Sequence, residues 1–347
     1  MVNIGIIGTG RIANDFCLAF KSLSMQNQKL IHQIVAVSSR NLLTAQQFAK
    51  QHAISSSFGS YQDMLKESRV DVVYVATPTS QHYEHVKLVL ENNKSVLCEK
   101  TFTLNFKQGE ELVKLARERG LFLMEANWMP FFPIFRRMID LVNSDTIGRV
   151  KYVEANLGFQ NNHQVNTGII DPNLGGGALL ACGIYPLSLA CLVFNSFPTT
   201  VQALSSQFVN GVDETVLCQL QFEMDQVASI STSIGVNLSS EATIHGTKGK
   251  IHLNWMCCCP TKLTMTLNGE KDPIVYEEPL WNNISSGFNF PNSEGLAYEI
   301  QHVMDCLVDQ RVESPIVTLA FTLNMLKLMD GIRQQIGLTY PNESTHK

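Results

Sequence analysis

Two side chains in this sequence are of types that act on a polar substrate. Lys100 directly follows the apolar run 95–98. A lysine at the end of a buried strand can lean over a carbonyl and stabilise charge on its oxygen, or it can be an ordinary exposed lysine. Tyr185 follows Gly175-Gly176-Gly177 in a segment with helical spacing, four residues after Ala181, so the two share one helix face. If that face looks into a cleft, Tyr185 is an acid. If not, it is a core tyrosine with a hydrogen-bonded hydroxyl. Upstream of the glycines, His163 and Asp171 are further proton carriers to weigh against a loop histidine and a capping residue ahead of Pro172.

A nucleotide site is written at the start of the chain. The apolar run from Val2 to Ile7 enters Gly8-Thr9-Gly10-Arg11-Ile12-Ala13. Gly8 permits a tight turn, Gly10 lets backbone approach a pyrophosphate, and Ala13 lets the following helix pack close to a sheet. Gly8, Thr9, Gly10, Arg11 and Ile12 would then surround the phosphates at that helix's N-terminus, where free N–H groups and the dipole favour an anion. A tight turn in any doubly wound domain is the plainer reading. The strand pattern 31–37 ends in Ser38-Ser39-Arg40, and no Asp or Glu occurs between Asp15 and Asp63. NAD asks for an acid here to accept from the ribose 2′-OH, whereas the 2′-phosphate of NADP asks for hydroxyls and a cation such as Arg40. The expected cofactor is therefore NADP(H) ahead of NAD(H).

These residues need a scaffold that brings strand ends together. Helix patterns at 42–52, 61–67, 81–91 and 106–119 alternate with strand patterns at 31–37, 70–76, 95–98 and 121–124. Such alternation implies a parallel sheet with helices on both faces and ligands at the carboxyl ends of the strands. Three of those ends carry polar groups: Thr77, Pro78 and His82 on the first, Glu99 and Lys100 on the next, and Asn127 and Trp128, behind Glu125, on the last. Pro78 turns the chain there, so that neighbouring groups meet the nicotinamide half.

Beyond residue 150 the pattern changes to strands at 150–159, 200–209, 214–223, 227–234, 239–245, 249–253 and 262–267, an open antiparallel sheet with a tight turn at Gly246-Thr247-Lys248-Gly249. Helices follow at 296–308 and 319–335. The expected division is a nucleotide-binding domain over 1–125 and a substrate-binding, dimerising domain over 126–347, with a C-terminal helix packing back on the first. An uncovered sheet face favours a homodimer through it. At 347 residues the chain suits two domains, and its net charge of −5 without a basic stripe argues against nucleic acid. Nine cysteines without CxxC or histidine spacing exclude a zinc motif. With no signal peptide and no apolar stretch of membrane-spanning length, they read as reduced, buried thiols of a cytoplasmic protein. Aromatic residues in the loops 155–170 and 280–292 (Phe159, Trp281 and Phe288), with Trp128, would wall a substrate or fill a core equally well.

Taken together, the glycine fingerprint, Ala76-Thr77-Pro78, Glu99-Lys100, Met124-Glu125-Ala126 and Gly175-Gly176-Gly177-Ala178-Leu179-Leu180 resemble the Gfo/Idh/MocA family (glucose-fructose oxidoreductase, inositol dehydrogenase, rhizopine catabolism). The similarity spans essentially the whole chain and is nearest the branch of dimeric dihydrodiol dehydrogenase and D-xylose NADP dehydrogenase. It implies a Rossmann domain, an open-faced sheet domain and hydride transfer at a nicotinamide. Lys100 matches the family lysine that polarises the substrate oxygen, and Tyr185 matches the tyrosine of this branch. An ammonium near Tyr185 would draw its titration from about 10 towards neutrality. Thr101 replaces the proline after that lysine, Ala181 a family aspartate of the proton relay, and Pro130 an arginine of the branch. The resemblance thus implies an NADP-dependent oxidoreductase of a sugar, polyol or dihydrodiol. Ala181 and Pro130 also admit a silent relative that binds NADP(H) as a sensor or structural partner.

Overall fold

The computed structural model describes residues 1–27, 32–161, 167–208, 210–281, 283–284 and 286–343. It divides into two compact units, one of 1–128 with 280–323, the other of 129–279 with 324–347. The stretch 280–323, read from sequence as part of the second domain, thus folds with the first.

The first unit is built on six parallel strands: β1 (Asn3–Ile7), β2 (Gln33–Ser38), β3 (Ser56–Phe58), β4 (Val72–Val75), β5 (Ser95–Glu99) and β6 (Leu123–Ala126). Their order, β3-β2-β1-β4-β5-β6, places the crossover point of a doubly wound sheet between β1 and β4. Helices α1 (Arg11–Gln26), α2 (Leu42–His52), α3 (Tyr61–Leu65), α4 (His82–Glu91) and α5 (Phe106–Arg119) connect them. Asn41, Ser60 and Asn105 cap α2, α3 and α5 with their side chains. Central strands are apolar and buried, and Ala13, Phe16, Cys17 and Phe20 form the inner stripe of α1, with Phe16 stacked on Tyr74 at 3.9 Å.

On its other face α1 carries a strap from the 280–323 stretch. Buried Asp15 accepts from the Asn289 and Phe290 amides at 2.9–3.0 Å and from Asn289 Nδ2 at 2.7 Å. Arg11 donates to Asn289 O at 3.1 Å and stacks on Phe290. Further along, Ser22 donates to buried Glu294, and the helix α8 (Leu296–Val308) packs against α1.

The second unit holds eight strands: β7 (Val150–Gly158), β8 (Thr200–Gln207), β9 (Asp213–Gln221), β10 (Val227–Ser233), β11 (Ala242–Gly246), β12 (Gly249–Leu253), β13 (Lys262–Leu267) and β14 (Ile274–Glu277), ordered β14-β13-β12-β11-β7-β10-β9-β8. The sheet is mixed rather than purely antiparallel, because β7 and β10 run parallel. The chain leaves β7 through a long connection containing the helix α7 (Ile184–Phe194) and returns by the β8–β9–β10 meander on β7's other side. Burial alternates along the strands as one-sided covering requires. Val153, Ala155, Val216, Cys218, Ala228, Ile230, Ile244 and Ile251 are buried, and α7 packs on β7 and β10, while the helix α6 (Pro133–Asn143) packs on β13. The opposite face carries exposed Leu204, paired with exposed Leu217, and exposed Val227. A last helix, α9 (Leu319–Ile336), begins in the first unit and ends in the second.

The segment Pro172–Phe194 corrects one expectation: it is long and apolar enough to cross a membrane, but 83% of its window is buried within the fold. It is a core helix of the second unit. All nine cysteines are buried and free.

Candidate functional site

In the first unit the glycine turn forms a cradle. Gly8 takes φ +104°, and a Cβ there would sit 2.6 Å from the Ala76 carbonyl oxygen. Its amide donates to Ser38 O at 3.0 Å, fastening the turn to the end of β2. Gly10 is the N-cap of α1, with no side-chain cap and no acid in the first turn. A Cβ on Gly10 would meet nothing within 4 Å. The first amides of α1 are thus left for a ligand, and the helix dipole presents them to an anion. This geometry fits a dinucleotide pyrophosphate: Gly8 makes the turn, the backbone of Thr9, Gly10 and Ile12 would hold the phosphates, and Arg11 is fixed beside them by the Asn289–Phe290 strap.

At the end of β2, Ser38 is buried and donates to Ile6 O, so its hydroxyl faces the sheet. Ser39 is half-buried and Arg40 exposed. Arg40 stands near His85 and Tyr61: burial raises the Tyr61 pKa against the pull of Arg40, whereas at His85 the Arg40 charge acts in the same direction as burial. His85 falls to about 4, first through burial, then through His82 and Arg40. Its Nδ1 meets Thr77 Oγ1 at 2.9 Å, and the Tyr61 ring packs edge-on against it. Exposed Pro78 follows Thr77, and no carboxylate stands at this end of β2 in the sequence. His82, read from sequence among the strand-end groups that meet the nicotinamide half, is 1% exposed. Its two ring nitrogens meet backbone carbonyls, Nδ1 that of Thr101 at 2.9 Å and Nε2 that of Thr77 at 2.7 Å.

The ends of β5 and β6 bring Lys100 among buried carboxyls. Glu99 accepts from Tyr74 OH, and its pKa is raised by burial against the pull of Tyr74 and Lys100. Glu125 is 2% exposed and raised by burial to about 7. Glu299 of α8, fully buried, is raised well above the carboxylate range by burial and by the charges of Glu99 and Glu125. Among the described residues neither of its carboxyl oxygens has a hydrogen-bond partner. Lys100 is half-buried, and the Lys100–Thr101 peptide is cis. Asn127 and Trp128, after β6, are both buried. Glu299 has no short-range sequence signal, since it lies within an ordinary amphipathic helix pattern; Glu125, an acid inside an apolar strand, does.

In the second unit the triple glycine is required by its own neighbours. Gly177 takes φ +129°, and a side chain on it would run into the carboxyl of Asp213. Fully buried Asp213 accepts from the Leu179 amide at 2.7 Å, and Tyr340 OH donates to Gly176 O at 2.8 Å. The backbone passes close to a buried carboxyl, and Asp213 caps the segment that continues into α7. Ala181 lies in a π-helical turn, Leu179–Gly183, of the kind frequent at functional sites. Tyr185, in the first turn of α7, is 8% exposed. Asp171 caps the turn Pro172–Leu174 by accepting from Asn173, and His163 lies outside the described residues. Of the loop aromatics, Phe159 is exposed, Trp281 packs edge-on against Tyr298, and Phe288 is half-buried.

Burial raises Asp213 to about 7. Between its unfolded pKa of about 3.9 and that value, the folded protein keeps a proton the unfolded chain has lost. Its contribution to stability is therefore complete below about pH 4 and is lost as pH rises to about 7. Asp213→Asn is expected to flatten this decline, read as the difference in urea midpoint between pH 4.5 and 7.5. An unchanged difference would disprove the assignment.

A doubly wound sheet with an open, glycine-cradled helix N-terminus, in one chain with a half-covered mixed sheet, is the build of a nucleotide-dependent oxidoreductase. The comparisons agree. Residues 2–127 match the oxidoreductase family with an NAD-binding Rossmann fold, GFO/IDH/MocA, and residues 135–252 match its C-terminal domain. The chain belongs to the Gfo/Idh/MocA family and is an oxidoreductase with an NAD(P)-binding unit. It is 36% identical to trans-1,2-dihydrobenzene-1,2-diol dehydrogenase of Xenopus tropicalis, over 97% of this chain and 98% of that protein. To the enzyme of the same name from Homo sapiens it is 34% identical, over 98% of each. Its fold is shared with levoglucosan dehydrogenase in complex with NADH and levoglucosan, at TM-score 0.85 and 18% identity over 97% of each chain. It is shared too with a 3-ketoreductase from Actinomadura kijaniata in complex with NADP and TDP-benzene, at TM-score 0.81 and 22% identity over 96% of this chain and 98% of the other.

Proposed function

We propose that this oxidoreductase uses NADP(H) to interconvert the carbonyl and hydroxyl of a small substrate, a sugar, a polyol or an aromatic dihydrodiol. The reading is carried by Lys100, which stands at the carboxyl end of β5 in the same unit as the open N-terminus of α1. The nicotinamide, when bound, supplies or accepts the hydride. Lys100 stabilises negative charge developing on the substrate oxygen. Tyr185, or a water, exchanges the proton with that oxygen. Arg40 and Ser39 supply a cation and a hydroxyl for a 2′-phosphate where no acid stands to accept from a ribose. Of the other proposed cofactor residues, Thr77, Pro78, Glu99, Asn127 and Trp128 line the strand ends towards the nicotinamide, and His82 serves that end through the carbonyls it holds. The likeness to the dihydrodiol dehydrogenases supports a CH–OH substrate. A second copy of this chain meeting the exposed face around Leu204 and Leu217, and a cytoplasmic setting for nine buried thiols, complete the proposal.

The test is fluorescence titration with NADPH and NADH. Arg40→Ala is expected to weaken NADPH by about 10- to 100-fold, the worth of a charge-assisted bond, and to leave NADH nearly unchanged. Equal loss for both dinucleotides would refute the 2′-phosphate assignment, and no binding of either would end the proposal.

A second reading, a silent NADP(H)-binding relative, is favoured by Ala181, which brings no titratable group to the turn before Tyr185. Restoring the acid separates the two. On the enzyme reading Ala181→Asp raises turnover about tenfold or more, as a positioned acid–base partner does. Unchanged activity with NADPH still bound favours the silent one.

A further inference from the structure

Lys100 leaves β5 on a short segment whose next residues, Thr101, Phe102 and Thr103, are all fully buried. Two buried titratable side chains hold that segment. From α4, His82 sets one ring nitrogen against the Thr101 carbonyl and the other against the Thr77 carbonyl at the end of β4, and its single N–H donates to one of them. From β6, Glu125 Oε1 accepts from the Phe102 amide at 2.9 Å, while Oε2 accepts from the Thr322 hydroxyl at 2.9 Å. We propose that Glu125 is a positioning residue for Lys100, gripping the segment that carries it through the Phe102 amide. The proposal rests on Lys100 acting at the substrate oxygen.

A carboxyl in this place does what an amide cannot: its grip changes with its charge, because a carboxylate accepts a hydrogen bond more strongly than a neutral acid. The charged and titratable groups facing it are Cys98 and Glu99 of β5, Lys100 beyond it, and Glu299 of α8. Burial, helped by Glu99, raises Glu125 to about 7 against the pull of the Phe102 amide, the Thr322 hydroxyl and Lys100. Glu299, with neither oxygen hydrogen-bonded among the described residues, is held towards its neutral form by the same burial and by its acidic neighbours. The Glu125 grip therefore tightens as pH rises through neutrality.

Thr101–Phe102 is the only Thr-Phe pair in the sequence. Carbonyl-13C threonine combined with 15N phenylalanine therefore reports the Phe102 amide alone, with no turnover needed. In the wild-type protein its proton resonance is expected to move downfield with a midpoint near 7, and in Glu125→Gln, which keeps an acceptor oxygen, to be flat with pH. A flat wild-type profile overturns the proposal, and so does a titration that persists in Glu125→Gln. In steady-state assays Glu125→Gln is expected to remove a neutral inflection from the kcat–pH profile without changing KM for NADPH. Glu125→Ala, which loses the acceptor, lowers kcat about tenfold or more. An unchanged kcat–pH profile in active Glu125→Gln enzyme overturns the positioning role. Were the hydride-transfer reading itself wrong, the assays would be silent and the amide titration would stand, so the two failures are distinct.

Discussion

Lys100→Met is expected to lower turnover by about 10²- to 10³-fold while leaving NADPH affinity close to wild type, because the loss falls on charge that develops only in the transition state. Methionine keeps the apolar stem and removes the ammonium, so the half-buried site is refilled rather than emptied. The neighbouring acids sharpen the expectation. With the ammonium gone, Glu99 and Glu125 lose a charge that holds their pKa values down, and both hold their protons to higher pH. Loss of turnover at every pH between 6 and 9, with NADPH titration unchanged, would establish the lysine's role. Turnover within threefold of wild type would place the chemistry elsewhere and leave Lys100 as an ordinary strand-end residue.

Gly8→Ala carries the second large effect, and its origin is the backbone. The substitution needs φ +104° from a residue with a Cβ and sets that Cβ 2.6 Å from the Ala76 carbonyl oxygen, which belongs to backbone and has no rotamer to escape into. Strain and overpacking together cost roughly 3 kcal/mol. Relief requires the turn to shift away from β4, which carries the first amides of α1 off their line. Losing even one charge-assisted bond to a phosphate there weakens the dinucleotide about tenfold or more. Gly10→Ala is the informative partner, since its Cβ meets nothing within 4 Å in the protein alone. It is expected to leave the urea midpoint unchanged and still weaken NADPH, because the open space beside it is where the pyrophosphate would come. Wild-type affinity in Gly8→Ala would remove the cradle from the site.

What the sequence by itself determined is what local chemistry can carry. Helices α2, α5 and α8 are legible because their apolar spacing, and in α2 and α5 a capping asparagine, lie within a single element. The glycine turn is legible because φ and close approach act over a few residues, and the acid-free stretch after Asp15 is plain in the residue types. The strand β3 is not, since Ser56–Phe58 is three residues long and has no apolar run. Only the tertiary structure decided which distant groups meet. The parallel pairing of β7 with β10, the passage of 280–323 into the first unit to strap Asp15, and the burial of His82 between two carbonyls all join residues far apart in the chain. Asp213 behind Gly177 and Glu125 between Phe102 and Thr322 belong with them. Burial sets the charge of those acids, and burial is a property of packing, which no single stretch of sequence contains.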